Sequence, residues 1–569
     1  MEKRGAELLA ELPDDKPALV LISRPYNGCD PGLNLRIPEK LGELGAVAIP
    51  LDFLPIPRNV GPELESMYWR YGQRILASAG VIAKDPRLNA VYLTNFGCGP
   101  DSFIMKYFRC EMKGKPYLTI EVDEHSADAG AVTRLEAFLD SLATAGTRDK
   151  TGRSQPVQRN TKMSDQRHRT VYIPHMDDHN NVIAAAMRHY GVRGEALPAP
   201  DAESLELGRR FTSGKECYPC ILTTGDIVKK AQAADFDPDS SCFFMPTSCG
   251  PCRFGQYNRH HRMVLDELGL ADVPMVLLDQ TAEFAKDTQN LGSGFRRLSW
   301  QGVVAMDYIK KLLLHTRPYE LYAGDSDAAF KESVDELCGR IARYGKVGDA
   351  PQRARRRLEA VPVDRSQRRP KIGFIGEIYV RGTEFSNNYA IRRIESLGGE
   401  AATPSLQEWV DFIDWERKQE LLRQGKYGSY VSQCVSCMVQ KKDVRRISKS
   451  FRGALPHFFR ESPMDEVMDY ASRYVDSAIR AGDTTLGIAR AVEYAHNGFH
   501  GVVNVSPFNC LPGMVVNALL HRFSDDHPDI PVLRMVYDGS LQTSEQIRME
   551  AFMHQARQAM QNCTESAAV

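Results

Sequence analysis

Short apolar runs recur along the chain, separated by longer stretches in which apolar residues return every three or four positions. The runs Ala18–Arg24 (ALVLISR), Ala46–Leu51, Ala90–Phe96 (AVYLTNF) and Tyr117–Val122 predict four strands near the start. Val171–Pro174, Cys242–Pro246 and Val273–Leu278 predict three in the middle, and Lys371–Gly376, Gly501–Val505 and Val532–Tyr537 three near the end. Near-continuous apolar runs of this length suit strands buried on both faces. Helical periodicity predicts helices over Pro62–Ala83, Ala129–Leu142, Asn181–Tyr190, Ile221–Ala234, Phe254–Leu268, Met464–Ile479 and Ser544–Met560. Strands alternating with helices imply βαβ units and parallel sheets. The expected architecture is α/β, with three Rossmann-like or flavodoxin-like parallel-sheet domains around a shared central cleft. Their expected spans are 1–145, 170–345 and 371–569. The polar, basic stretch Thr144–Arg169 and the charged, Pro-flanked stretch Ala350–Pro370 read as connectors between them.

Cysteines follow the strands. Cys29 comes after the first run, Cys98 after AVYLTNF, Cys249 and Cys252 after CFFMPT, and Cys510 after GVVNVSP. Ligands of open α/β sheets bind outside the carboxyl ends of the strands. Thiols gathered there point to one soft-metal site assembled from distant parts of the chain. The strongest local signal is Cys217-Tyr-Pro-Cys220 followed by Cys249-Gly-Pro-Cys252, two C-x-x-C pairs with 28 residues between them. Two such pairs complete a four-sulfur set, which both iron–sulfur clusters and zinc use. Each pair sits where a helix is predicted to start, and a helix N-terminus lowers thiol pKa and favours an anionic group. Iron–sulfur, zinc and redox-disulfide readings all remain open at this point. The surplus over four thiols suggests two clusters or one larger one. Cys434-Val-Ser-Cys437 lacks flanking Gly and Pro, and ligand and spare-thiol readings stand level. Cys110, Cys242, Cys338 and Cys563 read as bystanders.

Ionisable groups also collect after strands: Asp123 and His125, then His175, Asp177 and His179, then Glu377, Tyr379 and Arg381. Such positions suit substrate contact or proton transfer, and they equally suit capping of the next helix. His125, Glu377 and Arg381 are the catalytic candidates. The run Asn258-Arg-His-His-Arg262 reads as a solvated helix face. No GxxxxGK[ST] occurs, and Gly482–Gly487 lacks the lysine, so no nucleotide site is expected.

The bulk numbers narrow the class. The 569 residues are 43% hydrophobic and 25% charged, ordinary for globular domains. A net charge of −1 offers no field for nucleic acid or anionic lipid. The N-terminus has no long apolar stretch and no segment reaches membrane-spanning length, so neither a signal peptide nor a membrane span is expected. The expected location is cytoplasmic. There, thirteen cysteines point to metal or redox work more than to disulfides.

Several motifs together resemble one family. They are Arg24-Pro-Tyr-Asn27, Asn95-Phe-Gly-Cys-Gly-Pro-Asp-Ser102, and Asp123-Glu-His-Ser-Ala-Asp-Ala-Gly130 with Thr133-Arg134 and Glu136-Ala-Phe138. Gly214-Lys-Glu-Cys-Tyr-Pro219, Gly250-Pro-Cys-Arg-Phe-Gly-Gln-Tyr257, Gly376-Glu-Ile-Tyr-Val-Arg381 and Pro507-Phe-Asn-Cys-Leu-Pro-Gly513 complete the set. The chain resembles the activase-related family of 2-hydroxyacyl-CoA dehydratases over nearly its whole length. That family also resembles the dehydratase cluster subunits and the double-cubane cluster proteins. The resemblance implies a cysteine-bound iron–sulfur cluster, [4Fe–4S] or double-cubane, among Rossmann-like domains. It implies low-potential electrons delivered by an ATP-dependent activase, and a small molecule or acyl-CoA as substrate. The ATPase domains of long family members are missing, so ATP hydrolysis would belong to a partner chain. Cys98, Cys217, Cys252 and Cys510 match the family motifs as ligands, whereas Cys29, Cys220 and Cys249 rest on their local surroundings. Two other readings compete: a non-catalytic electron carrier or scaffold, and a zinc-stabilised binding protein.

Overall fold

The computed structural model describes the chain apart from residues 1, 14, 57–66, 98, 145–159, 162, 249, 251, 279–290, 292–293, 457–458, 460, 477–481, 541–542 and 567–569. Cys98 and Cys249 thus lie outside the described residues, as do most of the first connector and parts of the helices expected over Pro62–Ala83 and Met464–Ile479. The chain divides into two compact units. The first comprises Met1–Gln158, Thr212–Glu216 and Arg253–Asp266, and the second Arg159–Phe211, Cys217–Cys252 and Glu267–Val569.

The first unit carries one parallel sheet built from β1 (Ala18–Ile22), β2 (Val47–Pro50), β3 (Leu88–Thr94) and β4 (Tyr117–Glu121), in the order β2-β1-β3-β4. The second unit carries two. One consists of β5 (Asn160–Thr161), β6 (Thr170–Ile173), β7 (Arg193–Ala196), β8 (Ser241–Pro246) and β9 (Met275–Leu278), ordered β5-β9-β8-β6-β7. The other consists of β10 (Lys371–Gly376), β11 (Glu400–Ala402), β12 (Gly501–Pro507) and β13 (Val532–Tyr537), ordered β11-β10-β12-β13. All three sheets are parallel, and apart from the added edge strand β5 they share one wiring. In that four-strand core the first strand lies between the second and the third, and the fourth lies beyond the third. The topological switch points therefore lie between β1 and β3, β6 and β8, and β10 and β12, where the crevice for a ligand opens.

The inner strands are the ones whose apolar runs are unbroken. Every residue of β1 and β12 is buried. Side chains on both faces meet helices, so no polar alternation is left to read. The edge strands β7 (RGEA) and β11 (EAA) carry no such run and are set by pairing with β6 and β10. They are absent from the pattern of expected strands. So is β5, which falls inside the stretch expected to be a connector and pairs with β9.

The second expected connector is also structured. Ala350–Glu359 is a helix with Pro351 in its first turn, where a missing N–H is harmless. Its Ala354 and Leu358 are fully buried in the core of the second sheet, beside the long helix Phe295–Thr316. A further correction concerns Asn258–Arg262. These residues lie in the helix Tyr257–Glu267, and His260, His261 and Arg262 are buried rather than solvated. Within the first unit Phe103 stacks on Tyr257 and meets His260 edge-on, and the Arg259 guanidinium lies over the Tyr107 ring. Among the described residues no helix is long and apolar enough to cross a membrane.

Candidate functional site

In the first unit, the loops after β1 and β3 are tied together by charge. The Arg24 guanidinium, from the loop after β1, lies 3.3 Å from Asp101, which opens the helix Asp101–Glu111 after β3. Asp101 is wholly buried and accepts from Thr94 Oγ1 at 2.6 Å and from Tyr92. Burial pushes its carboxyl upward, against the pull of Arg24. The motif residues Arg253 and Ser102 also meet, with Nη1 donating to Oγ at 2.9 Å and to the Lys215 carbonyl at 3.0 Å. These contacts give Arg24, Asp101, Ser102 and Arg253 a positioning role: they hold the switch-point loops of the first sheet. Cys29 closes the short helix Pro25–Cys29 and is exposed. His125 is exposed on the loop after β4, with its backbone N–H donating to Asp123 at 2.9 Å. Asp123 also accepts from Ser126, so it shapes that turn.

In the second unit, Cys217 is the N-cap of the helix Tyr218–Ala231 and Cys220 lies in its first turn, both buried. The Cys220 N–H donates to the Cys217 carbonyl at 2.8 Å. Cys510 caps the helix Leu511–Asp526 in the same way and is also buried. Both helices carry Pro in the first turn, which presets the helical start and leaves the cap residue extended. Cys252, half-buried, precedes the turn Arg253–Gln256.

The start of the Tyr218–Ala231 helix packs on the third sheet. Tyr218 and Leu222 join the core formed by Tyr379, Val380, Tyr537 and their neighbours. Gly539, just beyond β13, leaves room for the Tyr218 ring; a Cβ there would meet it at 2.9 Å. The Phe508 N–H, at the end of β12, donates to the Tyr537 carbonyl at 2.8 Å. The Cys217–Cys220 turn thus packs on the third sheet, the sheet whose strand β12 leads to Cys510. Among the described residues no group of three or more metal-ligating side chains is preassembled.

Glu377 is a cap: its carboxylate accepts from the Val380 N–H at 2.9 Å at the start of the helix Ile378–Gly382. Arg381, on the same helix, lines a cavity at the end of β10. Gly376, Ser405, Glu408, Trp409, Leu486 and Arg490 are among its other walls.

Behind this cavity lies a buried ionic network that sequence reading missed. Arg490 Nε donates to Glu408 at 2.7 Å, one terminal nitrogen donates to Glu461 at 2.8 Å, and the other pairs with Glu493. Lys311 pairs with the far side of Glu461. Burial pushes Glu408 up despite Arg490, whereas Lys311 and Arg490 outweigh burial at Glu461 and hold it down at about 2. The available signal was a single arginine in the apolar run Leu486–Val492 (LGIARAV).

A second network sits after β6. His179 contacts Asp307 at 2.8 Å and Asp177 at 3.3 Å, and Lys310 donates to Asp177. Asp307 also accepts the N–H groups of Leu406 and Gln407 at 3.0 Å each, satisfying the first turn of the helix Leu406–Arg423.

No known protein family's model matches the chain, and no curated protein matches it either. The reading of the site therefore rests on its own chemistry.

Proposed function

We propose that the chain is an iron–sulfur protein that accepts low-potential electrons from a separate ATP-hydrolysing activase and passes them to a small substrate or an acyl-CoA. One observation carries most of the weight. Cys217 and Cys510 are buried at helix starts, Cys510 just after β12 and Cys217 on a helix packed against the third sheet, and the half-buried Cys252 follows β8 just before the turn Arg253–Gln256. Cys98 and Cys249 occupy corresponding places in the sequence, after β3 and β8. Buried thiols at helix N-termini suit thiolate ligation, because the N-terminal N–H groups and dipole stabilise anionic sulfur. Cys220, one turn into its helix, and Cys29 are the remaining candidates.

A bound cluster would supply one-electron chemistry at low potential. The chain would supply the thiolates, burial and N–H groups that tune it.

Anaerobic purification with iron and sulfide counting tests the proposal. About four to eight irons per chain are expected for a cubane or double cubane. Cys252→Ala is expected to deplete them, while Cys563→Ala, at an exposed bystander, retains them. Zinc without iron or sulfide would leave only the zinc-stabilised reading.

A further inference from the structure

The helices Leu406–Arg423 and Tyr427–Ser448 form a hairpin around a turn at Gly425. The second helix is apolar on two sides. Its inner side seats Cys437, Val444 and Ile447, and Ile447 belongs to the core of the second sheet with Phe451 and Tyr308. Its outer side carries Tyr427, Val431, Val435, Met438 and Val439, each 41–69% exposed. Steps of four, four and three residues from Tyr427 to Met438 set them in one row. A helix apolar all round is ordinarily buried, and a contiguous exposed row of this kind marks an interaction surface.

The row then runs into charge. Lys441, Lys442, Arg445 and Arg446 follow it, all exposed, and Lys442 and Arg446 continue the face of Val435 and Met438. The only acidic residue of this helix, Asp443, is buried and taken by Arg297, which donates to it at 2.7 and 3.0 Å. Arg446 lies 3.6 Å from the same carboxylate. Among the described residues Lys441, Lys442 and Arg445 make no ion pair. The Arg297 contact, and Gln433 donating to Asp414 at 2.8 Å across the hairpin, fix the helix on its neighbours. The face is therefore presented ready-made, which lowers the cost of binding.

We propose that this face docks a partner protein through an amphipathic helix whose apolar stripe runs into acidic residues. Tyr427, Val431, Val435 and Met438 take the stripe, and Lys441, Lys442 and Arg445 take the acidic end. From Tyr427 to Arg446 the face measures roughly 30 Å, the length of a helix of about 20 residues.

Charge selects this occupant. A second copy of the chain in parallel would set the basic cluster against itself. An antiparallel copy would set it against the exposed Arg423 and Lys426 at the other end of the hairpin. Both arrangements repel. A helix that lies in a lipid surface sorts apolar and charged residues around its axis. Here they are sorted along the axis, so a layer that took up Met438 would take up Lys442, one turn on, at the same depth.

This inference does not rest on the cluster, and its test needs no iron. The probe is a labelled helical peptide of three heptads, about 21 residues, with leucine at the a and d positions of the first two and glutamate throughout the third. A second peptide has lysine in place of those glutamates. Each is titrated with the full chain and followed by fluorescence anisotropy. The acidic peptide is expected to bind saturably, and the lysine peptide at least about tenfold more weakly. The double variant Val435→Ser, Met438→Ser is expected to weaken the acidic peptide by at least about tenfold, the scale of truncated interface anchors. Lys442→Glu with Arg445→Glu is expected to reverse the preference between the peptides. Tyr344→Ser, at an exposed side chain of the helix Asp325–Tyr344, is expected to leave both titrations unchanged. All these substitutions are at exposed positions, and circular dichroism checks that each variant folds. Equal binding of the two peptides, no binding of the acidic one, or binding that survives both double variants would overturn the proposal. So would binding of phosphatidylserine–phosphatidylcholine vesicles that the Ser double variant abolishes, or a dimer in sedimentation velocity that it dissociates. A chain that binds the acidic peptide yet holds no iron would sink only the cluster reading.

Discussion

Arg490 Nε donates to Glu408 across 2.7 Å, and the two side chains are only 6% and 3% exposed. A guanidinium so deeply placed is tolerable only because Glu408, Glu461 and Glu493 surround it. The pair joins the helix Leu406–Arg423 to the helix Asp483–His496 behind the β10 cavity.

Removing the arginine takes from Glu408 its ion-pair partner and leaves Glu493 only the Ser462 hydroxyl, while Glu461 keeps Lys311. Arg490→Met is expected to destabilise the second unit by about 3–5 kcal/mol, read as a fall in the urea unfolding midpoint. The double variant Arg490→Met, Glu408→Met removes one orphan and is expected to recover part of that loss. A double variant as unstable as the sum of its singles would show that the two side chains act independently.

The His179 network sets a pH dependence. Burial opposes the imidazolium, but Asp307 and Asp177 outweigh it and push its pKa from the ordinary 6.5 to about 10. A pKa raised on folding gives stability that is complete below the unfolded value and is lost as pH rises through the folded one. Thermal stability is therefore expected to fall between pH 6.5 and pH 10, and His179→Asn is expected to flatten that slope. An unchanged slope in the variant would remove His179 as its source.

Asp226 works in the opposite chemical sense with the same sign. It is 5% exposed, one carboxyl oxygen has no partner, and burial pushes its pKa from 3.8 to about 7. The unfolded chain releases this proton near 3.8 and the folded chain holds it until about 7, so folding grows costlier across that interval. Asp226→Asn keeps the shape without the charge. It is expected to melt above the wild type at pH 8 and close to it below pH 4, measured by differential scanning calorimetry.

Two helices approach closely through glycine. A Cβ on Gly225 would sit 1.7 Å from the Ser204 carbonyl, and one on Gly208 would sit 2.0 Å from the Ile221 carbonyl. Gly225→Ala must push the helix Tyr218–Ala231 away from the helix Ala202–Arg210. It is expected to lower the free energy of unfolding by about 3 kcal/mol, the upper end of overpacking, read as a fall in the urea midpoint. If the cluster reading holds, iron content falls with it, because Cys217 and Cys220 move with the helix.

Legibility followed burial. β1, β3, β8, β10 and β12 were readable because inner parallel strands carry unbroken apolar runs. β7 and β11 were not, because RGEA and EAA carry no apolar run and are defined by the neighbour each pairs with. The helix through Asn258–Arg262 misled for a related reason. Its histidines and arginines are covered by aromatic and acidic partners from distant sequence, such as Phe103 and Glu111. Of the catalytic candidates, Arg381 reached a cavity, Glu377 proved to cap a helix, and His125 stands exposed.

Sequence alone determined the class of the fold and the station of each described thiol, since strand periodicity and strand-end turns are local properties of the chain. Only tertiary structure decided that the three sheets share one four-strand order, with β5 added at the edge of one, and that Arg381 lines a small cavity beside Glu408 and Arg490. It also decided that Arg490, Glu408, Glu461, Glu493 and Lys311 meet. Those facts depend on which distant segments lie against one another. Charges become buried partners only once the intervening water is gone, and no local pattern encodes that exclusion.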